Sequence, residues 1–257
     1  MTIEITGSIK GTADRHTEAS LEKTFRRGLL IAPFNFWEGP LEEFADGGVT
    51  LDPLPVFLFA HGSSGITDAV REFGRRISAL GFSFFAPDSF QLEDRITYTS
   101  PVARSDYERI HAMRGQELEH AAARLREIPG FSGDFVVSGT SEGGVAAARF
   151  RAPAGMKEKG RIIFSWSCED NYHVEAHRTA VPDDVPVLNV MSAADKFFSR
   201  KNPWLDNLEA LGHAGGTLEK HPMAEIVLIP GAPHTLFSLP QAQDAVKGFL
   251  ARTVRKA

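Results

Sequence analysis

The chain has 257 residues, 42% of them apolar and 24% charged, enough to bury roughly three-quarters of its unfolded surface without a metal or disulfide staple. Its 28 basic and 33 acidic residues leave a formal charge of −5, with no basic block longer than Arg26-Arg27, so neither a nucleic-acid nor a membrane partner is expected. The lone Cys168 excludes an intramolecular disulfide and a multi-cysteine metal site.

Met1 to Lys23 carries scattered charges and no apolar core. No apolar run approaches the roughly 18 residues of a spanning helix, so a cytoplasmic protein is expected. Ile3-Glu4-Ile5 and Leu29-Leu30-Ile31 read as antiparallel edge strands within residues 1–50. Val56-Phe57-Leu58-Phe59-Ala60 is a buried strand running into His61-Gly62-Ser63-Ser64-Gly65. The spacing of Val70, Phe73, Ile77 and Leu80 predicts a helix over 67–80, stopped at Gly81. A second buried run covers 82–86, a polar surface loop 89–105, and a helix 106–128 with Leu118, Ala121, Ala122 and Leu125 on one face. Phe135-Val136-Val137, Ile162-Ile163-Phe164, Val187-Leu188-Asn189-Val190 and residues 225–229 are the third to sixth runs, and 241–254 is a closing helix. Buried runs alternating with helices make a mostly parallel sheet with helices on both faces. No repeat and no Gly/Ser- or Pro-rich linker interrupts the pattern, so residues 1–257 are expected to form one domain.

Ligands of an open parallel sheet bind at the carboxyl ends of its strands, so the residues just after each run carry the functional information. Gly139-Thr140-Ser141-Glu142-Gly143 follows the third run and precedes a helix of small residues. As a pattern G-x-S-x-G is weak; strand before and helix after give it weight. The alternative is a glycine-rich turn with an idle serine. A serine hydroxyl needs a base to become nucleophilic, and His234 follows the sixth run through Ile229-Pro230-Gly231-Ala232-Pro233. Of the nine histidines only His61 and His234 follow a buried run through a turn. The imidazole needs a carboxylate to set its tautomer. Asp195 supplies one after the fifth run, where a helix N-cap is the competing role; Glu169 and Asp170, after the fourth run, are substitutes. For the oxyanion of acyl transfer, the backbone N–H groups of Glu142 and Ser63 are expected donors, with Ser64 the second choice. His61 holds the loop. Cys168, without flanking glycines, is expected to be a buried free thiol.

With these residues in place the chain resembles the α/β-hydrolases, and among them the dienelactone-hydrolase-like branch. The resemblance rests on residues 61–65, 139–144, Asp195 and Pro230-Gly231-Ala232-Pro233-His234-Thr235-Leu236-Phe237, and spans roughly residues 50 to 255. It implies an α/β-hydrolase fold without a separate cap domain, a Ser or Cys nucleophile with an Asp and a His, no cofactor and no metal, and hydrolysis of esters or lactones. Dienelactone hydrolases proper carry cysteine where this chain has Ser141, so their substrate does not carry over.

The expectation is a serine hydrolase, carboxylesterase- or dienelactone-hydrolase-like, that cleaves a small carboxylic ester or lactone through an acyl-enzyme. Peptidase, thioesterase or acyltransferase chemistry on the same triad and a non-catalytic ligand-binding homologue are the alternatives. The substrate is expected to be a small molecule and the protein a monomer or homodimer. Phe90, Tyr98, Phe197, Phe198 and Phe237 are candidate substrate contacts, with Tyr172 and Trp204 in the same loops. Plain packing is the competing role for each. Arg95, Arg104, Arg178 and Arg200 are read as solvated loop charges or a carboxylate clamp.

Overall fold

The computed structural model describes residues 4–44 and 51–254. Ile3, part of an expected edge strand, lies outside the described residues, and Glu4 and Ile5 are not in a strand. The first strand is instead β1 (Ser8–Lys10), followed by helix α1 (Glu18–Arg26). Strands β2 (Leu29–Ile31) and β3 (Glu38–Pro40) pair antiparallel, and β2 also pairs antiparallel with β5 (Ser83–Ala86). Leu29–Ile31 is therefore not an edge; β3 covers it, and all three of its residues are buried.

Between them run β4 (Leu54–Ala60) and helix α2 (Asp68–Ala79), whose first turn is capped by the Thr67 hydroxyl accepting from the Val70 N–H. The stretch predicted as an irregular loop contains β6 (Thr97–Thr99), which joins β1 in a separate two-stranded antiparallel sheet. Three residues are too few for an alternating pattern to register. Helix α3 (Arg104–Ala123) begins two residues earlier than expected and gives way to a 3₁₀ turn at Leu125–Glu127. Then follow β7 (Phe131–Thr140), α4 (Glu142–Arg149), β8 (Glu158–Phe164), β9 (Val187–Ser192), β10 (Ala224–Ile229) and α5 (Pro240–Thr253).

The main sheet has eight strands in the order β10-β9-β8-β7-β4-β5-β2-β3, parallel from β10 through β5. Alternation along β4 sends Phe57 and Phe59 to one face, against Phe73 of α2 and Phe249 of α5. Val56 and Leu58 face the other way, with Phe25 of α1, Leu118 of α3 and Ala146 of α4. From β4 the chain moves to β5 on one side and returns to β7 on the other, so strand order reverses between β4 and β7. That reversal opens the crevice where ligands bind such sheets. The register Ala60↔Gly139 sets the turns after these two strands side by side. Among the described residues no helix is long and apolar enough to cross a membrane.

Candidate active site

Ser141 occupies the N-cap of α4 with φ 54° and ψ −118°, a conformation L-residues rarely adopt. Such strain persists only where the surroundings enforce it, and here the glycines do. A Cβ on Gly139 would lie 2.1 Å from the Gly143 carbonyl oxygen, and one on Gly143 2.1 Å from that of Ala60. The sharp turn therefore excludes side chains two positions either way and leaves Ser141 half-buried at its apex.

His234 Nε2 lies 2.9 Å from Ser141 Oγ, and His234 Nδ1 2.8 Å from Asp195 Oδ2. With Nδ1–H donating to the carboxylate, Nε2 is left to accept a hydrogen bond from the Ser141 hydroxyl. Asp195 is 1% exposed, and its Oδ1 accepts the N–H groups of Phe197 (2.8 Å) and Phe198 (3.1 Å). These bonds at once close the turn and hold the carboxylate; no helix starts here among the described residues, so Asp195 is a turn residue and not a helix N-cap. Two hydroxyls pin the histidine loop to the sheet. Ser192 Oγ donates to the Ala232 carbonyl at 2.6 Å, and Ser165 Oγ to that of His234 at 2.5 Å. Neither substitute carboxylate reaches His234. Glu169 accepts the N–H groups of Leu211 and Gly212, and Asp170 that of His177.

The turn after β4 lies against the elbow, where a Cβ on Gly62 would sit 3.6 Å from that of Ser141. His61 is fully buried. Its Nδ1–H donates to the Gly62 carbonyl (2.8 Å) and its Nε2 accepts the Ser89 N–H (3.2 Å). Burial, reinforced by the nearby Arg114 and Arg95 cations, holds its pKa well below that of a free imidazole. His61 thus braces the loop as a neutral ring. The Glu142 N–H, first in α4, has no carbonyl a turn earlier to bond and lies at the positive end of the helix.

A cleft of about 540 Å³ brings Ser141 and His234 together with Ser63, Ser64, Tyr98, Phe197 and Phe198. Two other candidate contacts stand elsewhere. Phe237 is 1% exposed in the core, ringed by Phe59, Phe73 and Phe164, because the chain dips back toward the sheet before α5. Phe90 is 43% exposed beyond the 61–65 turn, in a shallow groove with Arg27 and Arg71. Tyr172 and Trp204 do line the cleft, as do His173 and Lys196, which the sequence did not mark. His173 is buried with its Nε2 3.2 Å from His111 Nε2, and desolvation keeps both imidazoles well below their ordinary pKa. Cys168 is buried without contact to Ser141 or His234, its thiol pushed up to about 12 by burial.

Arg95 departs from its expected role. It is 6% exposed and donates to Glu142 (2.5 Å) and to Ser89 (2.6 Å). Glu142, wholly buried, also faces Arg114 Nε at 3.2 Å. The available sequence signal was a glutamate set among glycine and alanine at the start of a helix packed on the sheet. A buried carboxylate there requires a cation. Arg104 pairs with Asp206, Arg178 with Glu175, and Arg200 donates to the Ala210 carbonyl.

No protein-family model and no curated protein matches the chain. Solved structures do. Est1E of Butyrivibrio proteoclasticus shares 14% identity at a TM-score of 0.58, over 89% of this chain and 94% of that one. A protein assigned as a dienelactone hydrolase from Klebsiella pneumoniae shares 19% at 0.57, over 84% and 90%. A thermophilic esterase, Est2 of Thermogutta terrifontis, shares 14% at 0.53, over 90% and 89%. With its parallel sheet, reversed strand order and strained serine turn, the chain has the α/β-hydrolase fold.

Proposed function

We propose that the chain is a serine hydrolase of the dienelactone-hydrolase-like kind that cleaves a small carboxylic ester or lactone. The observation that carries the reading is the unbroken chain Asp195–His234–Ser141, with the serine at a strained apex opening on a cleft. Ser141 Oγ adds to the substrate carbonyl carbon while His234 Nε2 takes its proton, and the carbonyl π pair moves onto oxygen. The N–H groups of Glu142 and Ser63 receive that oxyanion. As the intermediate collapses, the C–O bond to the leaving group breaks and the alkoxide takes the proton from His234. Water then adds to the acyl-serine, giving its proton to His234, and the second collapse returns that proton to Ser141. The sum is ester plus water to acid plus alcohol; in a lactone both groups stay on one molecule. Asp195 orients His234 and stabilises the imidazolium. Each step uses only this chain's residues and water.

The aromatic walls of the cleft suit an apolar acyl or alcohol group, and esterases and an assigned dienelactone hydrolase among the fold neighbours agree with the reading. A fluorophosphonate, read by intact mass, should add once to the wild type and not to Ser141→Ala. Turnover of an activated ester by that variant should fall by a factor on the order of 10⁶, as where a triad acts as a unit. A variant within tenfold of wild type would remove Ser141 as the nucleophile. An unlabelled wild type would point to a non-catalytic binder.

A further inference from the structure

The proposed oxyanion donors come from two turns, the elbow after β7 and the turn after β4, which have to keep a common distance from one oxygen atom. Both turns are tied to the same two arginines. Arg114 Nη2 donates to the His61 carbonyl at 2.8 Å, and its Nε lies 3.2 Å from Glu142 Oε1. Arg95 Nη2 donates to the same Oε1 at 2.5 Å, and its Nε to Ser89 Oγ at 2.6 Å. The Ser89 N–H in turn donates to His61 Nε2 at 3.2 Å. Glu117 closes the ring: it pairs with Arg114, accepts Ser89 Oγ–H at 2.7 Å, and contacts His16 Nε2 at 2.8 Å. Two guanidiniums and two carboxylates, all buried, form a charge-balanced frame directly beneath both turns.

We infer that the Arg95–Glu142–Arg114 cluster positions the oxyanion hole, locking the Glu142 N–H and the 61–65 turn at a fixed separation, so that Glu142 serves through its backbone as donor and through its side chain as anchor. The inference rests on the proposed acyl-transfer reading. The planar guanidinium fork suits the task, because its several donors fix direction as well as distance. None of the three side chains lines the cleft. Their effect on rate is indirect, and Arg95 and Arg114 are positioning residues.

Glu142→Gln tests this with little change of shape. The amide oxygen can remain at Oε1, and the amide nitrogen takes the place of Oε2, which has no hydrogen-bond partner among the described residues. The anchor loses its charge while the backbone donor stays. Steady-state kinetics would be run on p-nitrophenyl acetate and on its thionoester, whose larger sulfur is a poorer acceptor and does not fit donors set for oxygen. The variant should lose about tenfold in kcat with KM within about twofold, a fraction of the ~10²–10³ that follows outright deletion of a donor. The ester-to-thionoester ratio of kcat/KM should fall by a similar factor of about ten. General damage to the fold would lower both substrates together. Arg95→Lys, which keeps the charge but loses the fork, should lower kcat and the ratio together, each by less than in Glu142→Gln. An unchanged ratio in both variants overturns the inference. So does failure of both to fold, which would make the cluster a requirement of folding alone. Ser141→Ala separates the two levels. If the wild type shows no Ser141-dependent turnover, the hydrolase reading fails, whereas an active wild type with unaltered discrimination in the variants leaves that reading intact and removes only the frame.

Discussion

Helix α3 passes two buried polar clusters one turn apart, and they meet the cost of burial in opposite ways. Tyr107 and His111 join His173, Tyr172, Trp166 and Phe198 in an aromatic box. Within it His111 Nδ1, His173 Nδ1 and Trp166 Nε1 have no hydrogen-bond partner among the described residues. Arg114 and Glu117 belong instead to the ionic frame beneath Ser141, where each cation meets a carboxylate, although Arg114 Nε and Glu142 Oε2 make no hydrogen bond among the described residues. An imidazole can give up its proton, so desolvation makes it neutral and the box can leave nitrogens unpaired. Guanidinium cannot, so burying it requires counter-charge in place. The Glu117 carboxyl shows the balance: burial pushes its pKa up, but Arg114 and the bonds from His16 and Ser89 outweigh it and hold it below the ordinary value.

The sharpest way to break this contrast is to remove one charge from the frame. Arg114→Met should destabilise the protein by about 3–5 kcal/mol in urea unfolding, because Glu117 and Glu142 lose a shared cation in the interior. A loss under about 1 kcal/mol would show that the frame does not depend on charge. The box should respond to pH. His111 and His173 both have depressed pKa values in the fold, so the unfolded chain takes up protons that the buried rings refuse. Their contribution to stability is complete above the unfolded value of ~6.5 and is lost as pH falls from there toward the folded values, by about 1.4 kcal/mol per pH unit for each ring. His111→Phe should therefore make the dependence of unfolding free energy on pH shallower by about that amount between pH 6 and 5. An unchanged slope would mean that His111 titrates normally in the fold. The smallest effect concerns Cys168, which packs in the same apolar cluster as Trp166 and Tyr172. With its thiol pushed up to about 12, iodoacetamide at mildly alkaline pH should leave the native protein unmodified and alkylate it only after unfolding. Alkylation of the native protein would reveal an opening of the box.

Helix α3 also explains what could and could not be read from the chain. The six buried runs and the closing helix were legible because continuous apolar stretches and 3.6-residue spacing mark elements packed on the sheet. Helix α3 was legible for the same reason, through Leu118, Ala121 and Ala122. What that spacing did not show is that the helix also buries His111, Arg114 and Glu117, because polar groups on a buried face make no apolar stripe. Arg95 was misread on the same ground: a charge in a polar loop looks solvated until its buried partner is known. Strand ends and turn residues brought Ser141, Asp195 and His234 into view because their positions follow from sheet topology. Phe90 and Phe237 were indistinguishable by composition and part only in three dimensions, where one chain segment turns inward and the other does not.

The glycines around Ser141 have a consequence for how this chemistry can change. At positions 139 and 143 any added carbon collides with main chain, so the turn admits no variation there. The apex is bound by no such limit beyond its own strained backbone. A cysteine places its Cβ and one heteroatom where serine does, so the same turn accommodates oxygen or sulfur. On the proposed reading, a single substitution at Ser141 therefore exchanges the attacking element while leaving the architecture as it stands.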